Sequence, residues 1–152
     1  MNREALCEQL YRNRKMDSAE QVGLFQEAYN ALVDADDIET LRCFLKAFDD
    51  STMQYDVMWN LVHGVEGFEV EMYLEELISA TPQMFGEASE WLATLYERIL
   101  NSEDYLSKYK ALLGVGELTQ KKAVINTLSD IAARDPNFLR VVKRVKEGLN
   151  SE

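Results

Sequence analysis

His63 is the only histidine in the chain, so any histidine-dependent catalysis would have to rest on it. Asp56, Trp59 and Glu66 lie about one helical turn apart around it, and a helix would therefore place all four on one side. A carboxylate beside an imidazole is a pairing that general acid–base catalysis uses. No serine or cysteine stands in a recognisable nucleophile motif, however, and we expect His63 to have a structural or interface role.

The other patterns that could support chemistry are incomplete. Carboxylates are abundant, but the sequence has no recurring Glu-x-x-His motif of a di-iron bundle and no calcium-loop pattern. Cys7 and Cys43 lack the spacing of a zinc site and are too few for a disulfide framework. Gly114 and Gly116 form a bare G-x-G, which we interpret as a helix stop and not as a phosphate loop. The sequence thus predicts no metal, no cofactor and no enzymatic activity.

The elements that must position these residues are helices. Apolar residues recur at helical spacing along nearly the whole chain, and this period predicts an all-α protein. Only two prolines and seven glycines interrupt 152 residues, which disfavours β-sandwiches and barrels. We expect one domain over residues 1–152 with eight to nine short amphipathic helices. They would form an antiparallel bundle or an irregular stack of helical pairs.

Polar residues indicate where several of these helices begin. Thr52 is expected to cap the fourth helix, with Met53 on its inward stripe. Thr81 and Pro82 are interpreted as a cap followed by a first-turn proline. Thr119 is expected to cap the eighth helix.

Charge is strongly segregated along the chain. The net charge is −11, and residues 17–104 hold twenty acids against three bases. Such a field repels nucleic acid and anionic membranes and attracts a basic protein partner. Solubility alone is the alternative explanation. The sequence has neither an apolar run of membrane-spanning length nor a signal peptide, so we expect a cytoplasmic protein.

Two groups of residues are predicted to bind a partner. The first is the predicted helix side with Asp56, Trp59, His63 and Glu66, where the tryptophan could pack on a partner and the carboxylates could bind its lysines and arginines. Trp59 could instead be a core residue, if that helix is buried on two sides. The second is a set of acidic residues in the preceding loop and the following helix, where mutual repulsion would be relieved by a basic partner. Together the candidates are Asp49, Asp50, Asp56, Trp59, His63, Glu66, Glu69, Glu71, Glu75 and Glu76.

Several segments resemble a known protein family. They are FDDSTMQYDVMW at residues 48–59, LVHGVEGF at residues 61–68, Glu90-Trp91, and ERILN at residues 97–101. Together they are similar to the small all-helical immunity proteins of bacterial polymorphic toxin and contact-dependent growth inhibition systems, over roughly residues 38–145.

This resemblance implies a cytosolic, non-enzymatic inhibitor whose partner is the C-terminal domain of one cognate toxin, often a nuclease with a basic groove. An acidic helical adaptor that binds an endogenous protein or peptide is the alternative function. An enzyme built around His63 is a third. The oligomeric state is left open by the sequence.

Overall fold

The structure, a computed structural model, describes residues 2–113 and 117–150. Over these residues the chain is all-helical, which confirms the predicted fold class and helix number. The nine α-helices are α1 (Arg3–Arg12), α2 (Ala19–Leu32), α3 (Ile38–Lys46), α4 (Tyr55–Glu66), α5 (Val70–Glu87), α6 (Ser89–Leu100), α7 (Glu103–Leu113), α8 (Leu118–Arg134) and α9 (Leu139–Asn150). A short 3-10 helix, Pro136–Phe138, links α8 to α9. The helix stop predicted at Gly114 and Gly116 lies outside the described residues.

The chain divides into two compact units, Met1–Glu76 and Leu77–Glu152, and the division falls within α5. All ten residues predicted to bind a partner belong to the first unit. The expectation of one domain over residues 1–152 stays a prediction.

The first unit has an apolar core to which four helices contribute. In it α1 packs against α2 and α3, and α3 packs against α4. Leu10, Phe25, Phe44 and Leu61, one from each of these helices, are fully buried. The ring of Phe44 also stacks on Tyr29 with centroids 5.3 Å apart, which ties α3 to α2. This core fixes the positions of the surface residues on α4.

The second unit is built around α6 and α8. Here α6 packs against α7 and α8, and α9 packs against α8 and α7. Leu128 is fully buried, and Val142 is nearly so. The hydroxyls of Tyr96 and Thr81 lie 2.5 Å apart in this interior, and burial raises the pKa of Tyr96 to about 12. A pair of neighbouring hydroxyl groups is therefore buried in this interior.

Helix α4 begins later than the sequence predicts. Its first residue is Tyr55, and no side chain caps it. Thr52, the predicted cap, is fully buried in the preceding loop, where its hydroxyl accepts a hydrogen bond from the backbone N–H of Gln54. Met53 consequently lies outside the helix and is 74% exposed, so its predicted place in the core is wrong. The local hydrogen bond of Thr52 stabilises a turn instead of a helix end.

Two other predicted helix starts are wrong. Helix α5 runs through Pro82, although proline removes a helical donor and crowds the preceding turn. Ile78 and Met84 are buried on either side of it, so packing sustains the helix through the proline. Helix α8 begins just before Thr119, and its cap is Glu117 in a capping box.

The described residues contain no helix with both the length and the apolar character that crossing a bilayer requires.

Candidate functional site

Helix α4 presents a buried face and an exposed face. Val57, Leu61 and Val65 are buried along one face, as the spacing predicts. Trp59 lies on the other side of the helix and is 38% exposed, so the alternative that it is a core residue does not hold. Its ring centroid is 6.2 Å from that of His63, one turn further along. The exposed face of α4 therefore carries two neighbouring aromatic rings.

His63 is not held in a geometry that acid–base catalysis would need. Its side chain is 64% exposed, and its Nδ1 lies 3.8 Å from Oε1 of Glu66. That separation exceeds a hydrogen bond, so Glu66 does not fix the orientation or the tautomer of the imidazole. Asp56, at the start of α4, is exposed as well. Chemically this face can offer aromatic surface, an imidazole and carboxylates to a partner.

An open groove of about 360 Å³, which we call the α2–α4 groove, adjoins His63. Tyr29 and Val33 line it from the α2 side, and Gly64 and Phe68 line it from the α4 side. The hydroxyl of Tyr29 donates a 2.9 Å hydrogen bond to the backbone carbonyl of Asn60, which joins the two helices at the groove. Burial raises the pKa of Tyr29 above its usual value, so this hydroxyl is a hydrogen-bond donor over an even wider pH range than usual.

Two aspartates complete the α2–α4 groove. Asp34 and Asp36 follow α2 and are both exposed. Asp37, the next residue, instead caps α3 and forms a 2.7 Å ion pair with Arg3, and these interactions lower its pKa. Sequence reasoning missed the groove. Gly64 near the end of α4, where glycine permits the close approach of Tyr29, was the signal in the sequence that could have indicated it.

The two acidic residues predicted in the loop before α4 differ in their surroundings. Asp49 is only 5% exposed, and its Oδ2 lies 3.1 Å from Nε of Arg14. Its Oδ1 accepts hydrogen bonds from the backbone N–H and the hydroxyl of Ser51. Asp50 is half-buried. The structure thus gives the Asp49 carboxylate a role inside the first unit.

The acidic residues of α5 are also not equivalent. The carboxylate of Glu69 accepts hydrogen bonds from the N–H groups of Glu71 and Met72, and so satisfies donors in the first turn of α5. Glu71 and Glu75 are exposed.

Glu76 differs from the exposed acids of α5, because its carboxylate forms an ion pair with Arg42 of α3. Its two carboxylate oxygens lie 2.9 and 3.1 Å from the guanidinium of Arg42. This bidentate contact raises the pKa of Arg42. Glu76 is therefore already neutralised within the first unit.

A second groove, of about 570 Å³, lies between α1 and α3 and is lined by both cysteines. Burial raises the pKa of the Cys43 thiol, so it remains protonated and is a poor nucleophile. Arg3, Arg42 and Lys46 line the same groove together with acidic residues. In the part of the chain that the structure describes, no cluster of three or more His, Cys, Asp or Glu side chains is placed to hold a metal ion.

Comparison with known proteins identifies the family. Neither a curated protein nor a solved structure matches the chain significantly. A protein-family model does match: the model of Immunity protein 30 covers residues 12–109, which includes α4, the α2–α4 groove and the acidic start of α5. The chain therefore belongs to the Immunity protein 30 family, one of the immunity protein families of bacterial toxin systems.

Proposed function

We propose that this chain neutralises a cognate toxin domain by binding it directly through an electronegative surface of the first unit. Membership of an immunity protein family supports the class of function. The surface would comprise the exposed face of α4 with Asp56, Trp59 and His63, and the exposed carboxylates of Glu71 and Glu75 on α5. Asp49 and Glu76 have charged partners within the unit, so they would stabilise the unit that carries this surface instead of contacting the toxin.

The observation that carries the proposal is the exposure of Trp59 among polar neighbours. A tryptophan is a large apolar side chain, and its partial exposure on a well-packed helix leaves apolar area that a partner can cover. Tryptophan is enriched among the energetic centres of protein interfaces, which a polar rim commonly surrounds. The neighbouring His63 ring and the Asp56 carboxylate would supply such a rim.

The charge of the chain supports a basic partner. Residues 17–104 carry twenty acids and three bases, and this region includes the whole proposed surface. Opposite charge on the toxin domain would speed the encounter and favour the cognate pair. We therefore propose a basic toxin domain, with a nuclease as the leading class, because a nuclease must itself attract a polyanion. The proposal places this complex in the cytoplasm, within a polymorphic toxin or contact-dependent growth inhibition system.

The mechanism is inhibition by occupancy and not by catalysis. Glu66 does not orient His63 through a hydrogen bond, and the Cys43 thiol is buried, which raises its pKa and keeps it protonated. The first unit would act as a helical surface that covers the toxin, either at its active site or beside it. A tight complex with slow dissociation is what such inhibition requires.

The test is calorimetric titration of the full chain with the candidate toxin domain encoded immediately upstream of its gene, at low and high salt. We expect nanomolar or tighter binding that weakens as salt rises. Trp59→Ala should weaken binding at least tenfold, about 1.4 kcal/mol or more. Leu139→Ala is the matched control, because Leu139 is also an exposed apolar residue but lies in the second unit.

Each other result would redirect the proposal. Tight binding that does not respond to salt would retain the immunity function and move the interface to apolar contacts around Trp59. No binding to the toxin domain, together with weak binding to several endogenous proteins, would overturn the proposal in favour of an acidic helical adaptor. A loss for Trp59→Ala no larger than that for Leu139→Ala would show that Trp59 is not an energetic centre of the interface.

A further inference from the structure

The α2–α4 groove is formed where two helices end. Helix α2 ends at Leu32 with Val33 as its C-cap, and α4 ends at Glu66 with Gly67 as its C-cap. Backbone N–H groups just beyond the helices donate to some of the last carbonyls, such as those of Leu32 and Val65. The C-terminal end of a helix still carries a partial negative charge. The groove thus receives negative potential from two helix ends in addition to its side chains.

The charged side chains of the groove have one sign only. Asp34 and Asp36 line it, and within the part of the chain that the structure describes no lysine or arginine does. The α1–α3 groove differs, because Arg3, Arg42 and Lys46 line it beside its acids. Asp37, next to Asp36, is already paired with Arg3. The α2–α4 groove is consequently the one of these two whose charged lining residues are all acidic.

The walls of the groove are apolar and aromatic. Val33 is 37% exposed and can contact an alkyl chain. Tyr29 is half-buried, Phe68 lies deeper, and His63 stands at the rim next to Trp59. An arginine side chain matches this combination, since its stem packs on apolar surface and its planar guanidinium stacks on rings and donates to carboxylates. A lysine ammonium is a compact, more strongly hydrated charge and would gain less from the rings.

We propose that the α2–α4 groove is the recognition site for an arginine side chain of the toxin domain. The guanidinium would lie between the carboxylates of Asp34 and Asp36 and the two helix ends, and its stem would lie on Val33. The segment that follows this arginine would continue over His63 and Trp59. The identity of the partner rests on the proposed immunity function, whereas the chemistry of the groove can be tested without the toxin.

The first experiment titrates the full-length, ¹⁵N-labelled chain with N-acetyl-arginine amide and follows amide chemical shifts. We expect millimolar binding with shifts confined to residues 33–36 and 63–68, and a loss of affinity as salt rises. The lysine amide should bind more weakly, and the uncharged citrulline amide should cause no localised shifts. Localised shifts of similar size with citrulline, or arginine shifts spread over the acids of α5, would overturn the proposal.

A charge-matched pair of variants identifies the carboxylates involved. Asp34→Asn combined with Asp36→Asn should abolish the localised shifts, whereas Glu71→Gln combined with Glu75→Gln removes the same charge and should preserve them. All four side chains are exposed, so both variants should fold, and circular dichroism checks this. Equal loss of binding in both variants would show a general charge effect and would overturn the groove as a site.

The same variants separate this inference from the immunity function. Against the toxin domain, the Asp34 and Asp36 double variant should bind at least about tenfold more weakly, as expected when charge-assisted hydrogen bonds are lost. Unchanged tight binding of the toxin by this variant would overturn the groove proposal and leave the immunity function intact. Failure of the unaltered chain to bind the toxin would overturn the function and the toxin as the source of the arginine, even if arginine amide binds in the groove.

Discussion

The hydroxyl oxygen of Tyr29 lies only 2.6 Å from the position that a Cβ atom on Gly64 would occupy. Two ring atoms of Tyr29, Cε1 and Cζ, lie 3.1 and 3.3 Å from the same position. The same hydroxyl donates to the carbonyl of Asn60, one turn earlier on α4. Glycine at position 64 therefore allows α2 and α4 to approach closely at the α2–α4 groove.

Replacing Gly64 by alanine should destabilise the first unit. The added methyl group would displace the Tyr29 ring from its hydrogen bond to Asn60 and from its stacking on Phe44. Overpacking of this kind costs about 1–3 kcal/mol, against a gain of about 1 kcal/mol in helix propensity, so we expect a net loss of up to about 2 kcal/mol. Urea unfolding of Gly64→Ala measures the difference.

Gly23→Ala is the control for this substitution. Gly23 also lies within a helix of the first unit, but nothing lies within 4 Å of its Cβ position. We expect Gly23→Ala to stabilise the chain by about 1 kcal/mol through helix propensity. A gain in stability for both variants would show that Tyr29 can move away from Gly64 at little cost.

The helices of the fold could be predicted from sequence because the apolar period is a property of each segment by itself. The boundaries at Thr52, Pro82 and Thr119 could not be predicted as well. A threonine can satisfy a helix end or a turn with the same hydroxyl, and at Thr52 the turn to Gln54 is the one formed. A proline in a helix is tolerated only where packing on both sides outweighs the lost hydrogen bond, and that packing is tertiary.

The roles of the acidic residues could be predicted only in part, because they too depend on tertiary contacts. A run of carboxylates in the sequence shows how much charge is present but not where the arginines of other helices will lie. Arg14 follows α1 and pairs with Asp49, while Arg42 belongs to α3 and pairs with Glu76. Asp34 and Asp36 are candidate binding residues because the ends of α2 and α4 form one groove, and this pairing of helix ends is a tertiary feature.

Asp49→Asn should destabilise the first unit. The amide can still accept hydrogen bonds from Ser51, but it leaves the guanidinium of Arg14 without a counter-charge at a site where both side chains are largely buried. Loss of one member of such a pair costs on the order of 1–3 kcal/mol, because the remaining charge is poorly solvated. Thermal or urea unfolding would show this loss.

Asp17→Asn is the matched control, because Asp17 is an exposed aspartate in the same unit. The change should alter stability by no more than about 0.5 kcal/mol. If Asp49→Asn were as mild as Asp17→Asn, Arg14 would be adequately solvated or held by its contact over the ring of Tyr11.

Glu97→Gln should stabilise the second unit at neutral pH. Burial raises the pKa of Glu97, and the neighbouring Asp135 raises it further. The folded chain therefore binds a proton more tightly than the unfolded chain, whose carboxyl has a pKa near 4.5. Stability falls as pH rises through this window, and the glutamine variant avoids the loss. The advantage of the variant should shrink as the pH falls below the usual glutamate range.

Urea midpoints of both proteins across mildly acidic to neutral pH test this expectation. Glu147→Gln makes the same charge change at an exposed position of α9 and is the control for the loss of one negative charge. A pH-independent difference between Glu97→Gln and the unaltered chain would contradict a raised pKa and indicate a change in packing.

Glu75→Gln and Glu76→Gln remove the same charge from adjacent positions, and they should have different effects. Glu76→Gln breaks the bidentate pair with Arg42, so it should lower the unfolding midpoint, and the effect should diminish at high salt. Glu75→Gln should leave stability nearly unchanged, because its side chain is exposed.

Association with the toxin domain should respond in the opposite order. The charge of Glu76 is already balanced by Arg42, whereas that of Glu75 contributes to the field that a basic partner meets. We expect Glu75→Gln to slow association at low salt more than Glu76→Gln does, as measured by stopped-flow fluorescence of the complex. Equal reductions in the association rate would mean that Arg42 does not neutralise Glu76 toward the partner, and a larger reduction for Glu76→Gln would place the ion pair itself in the interface.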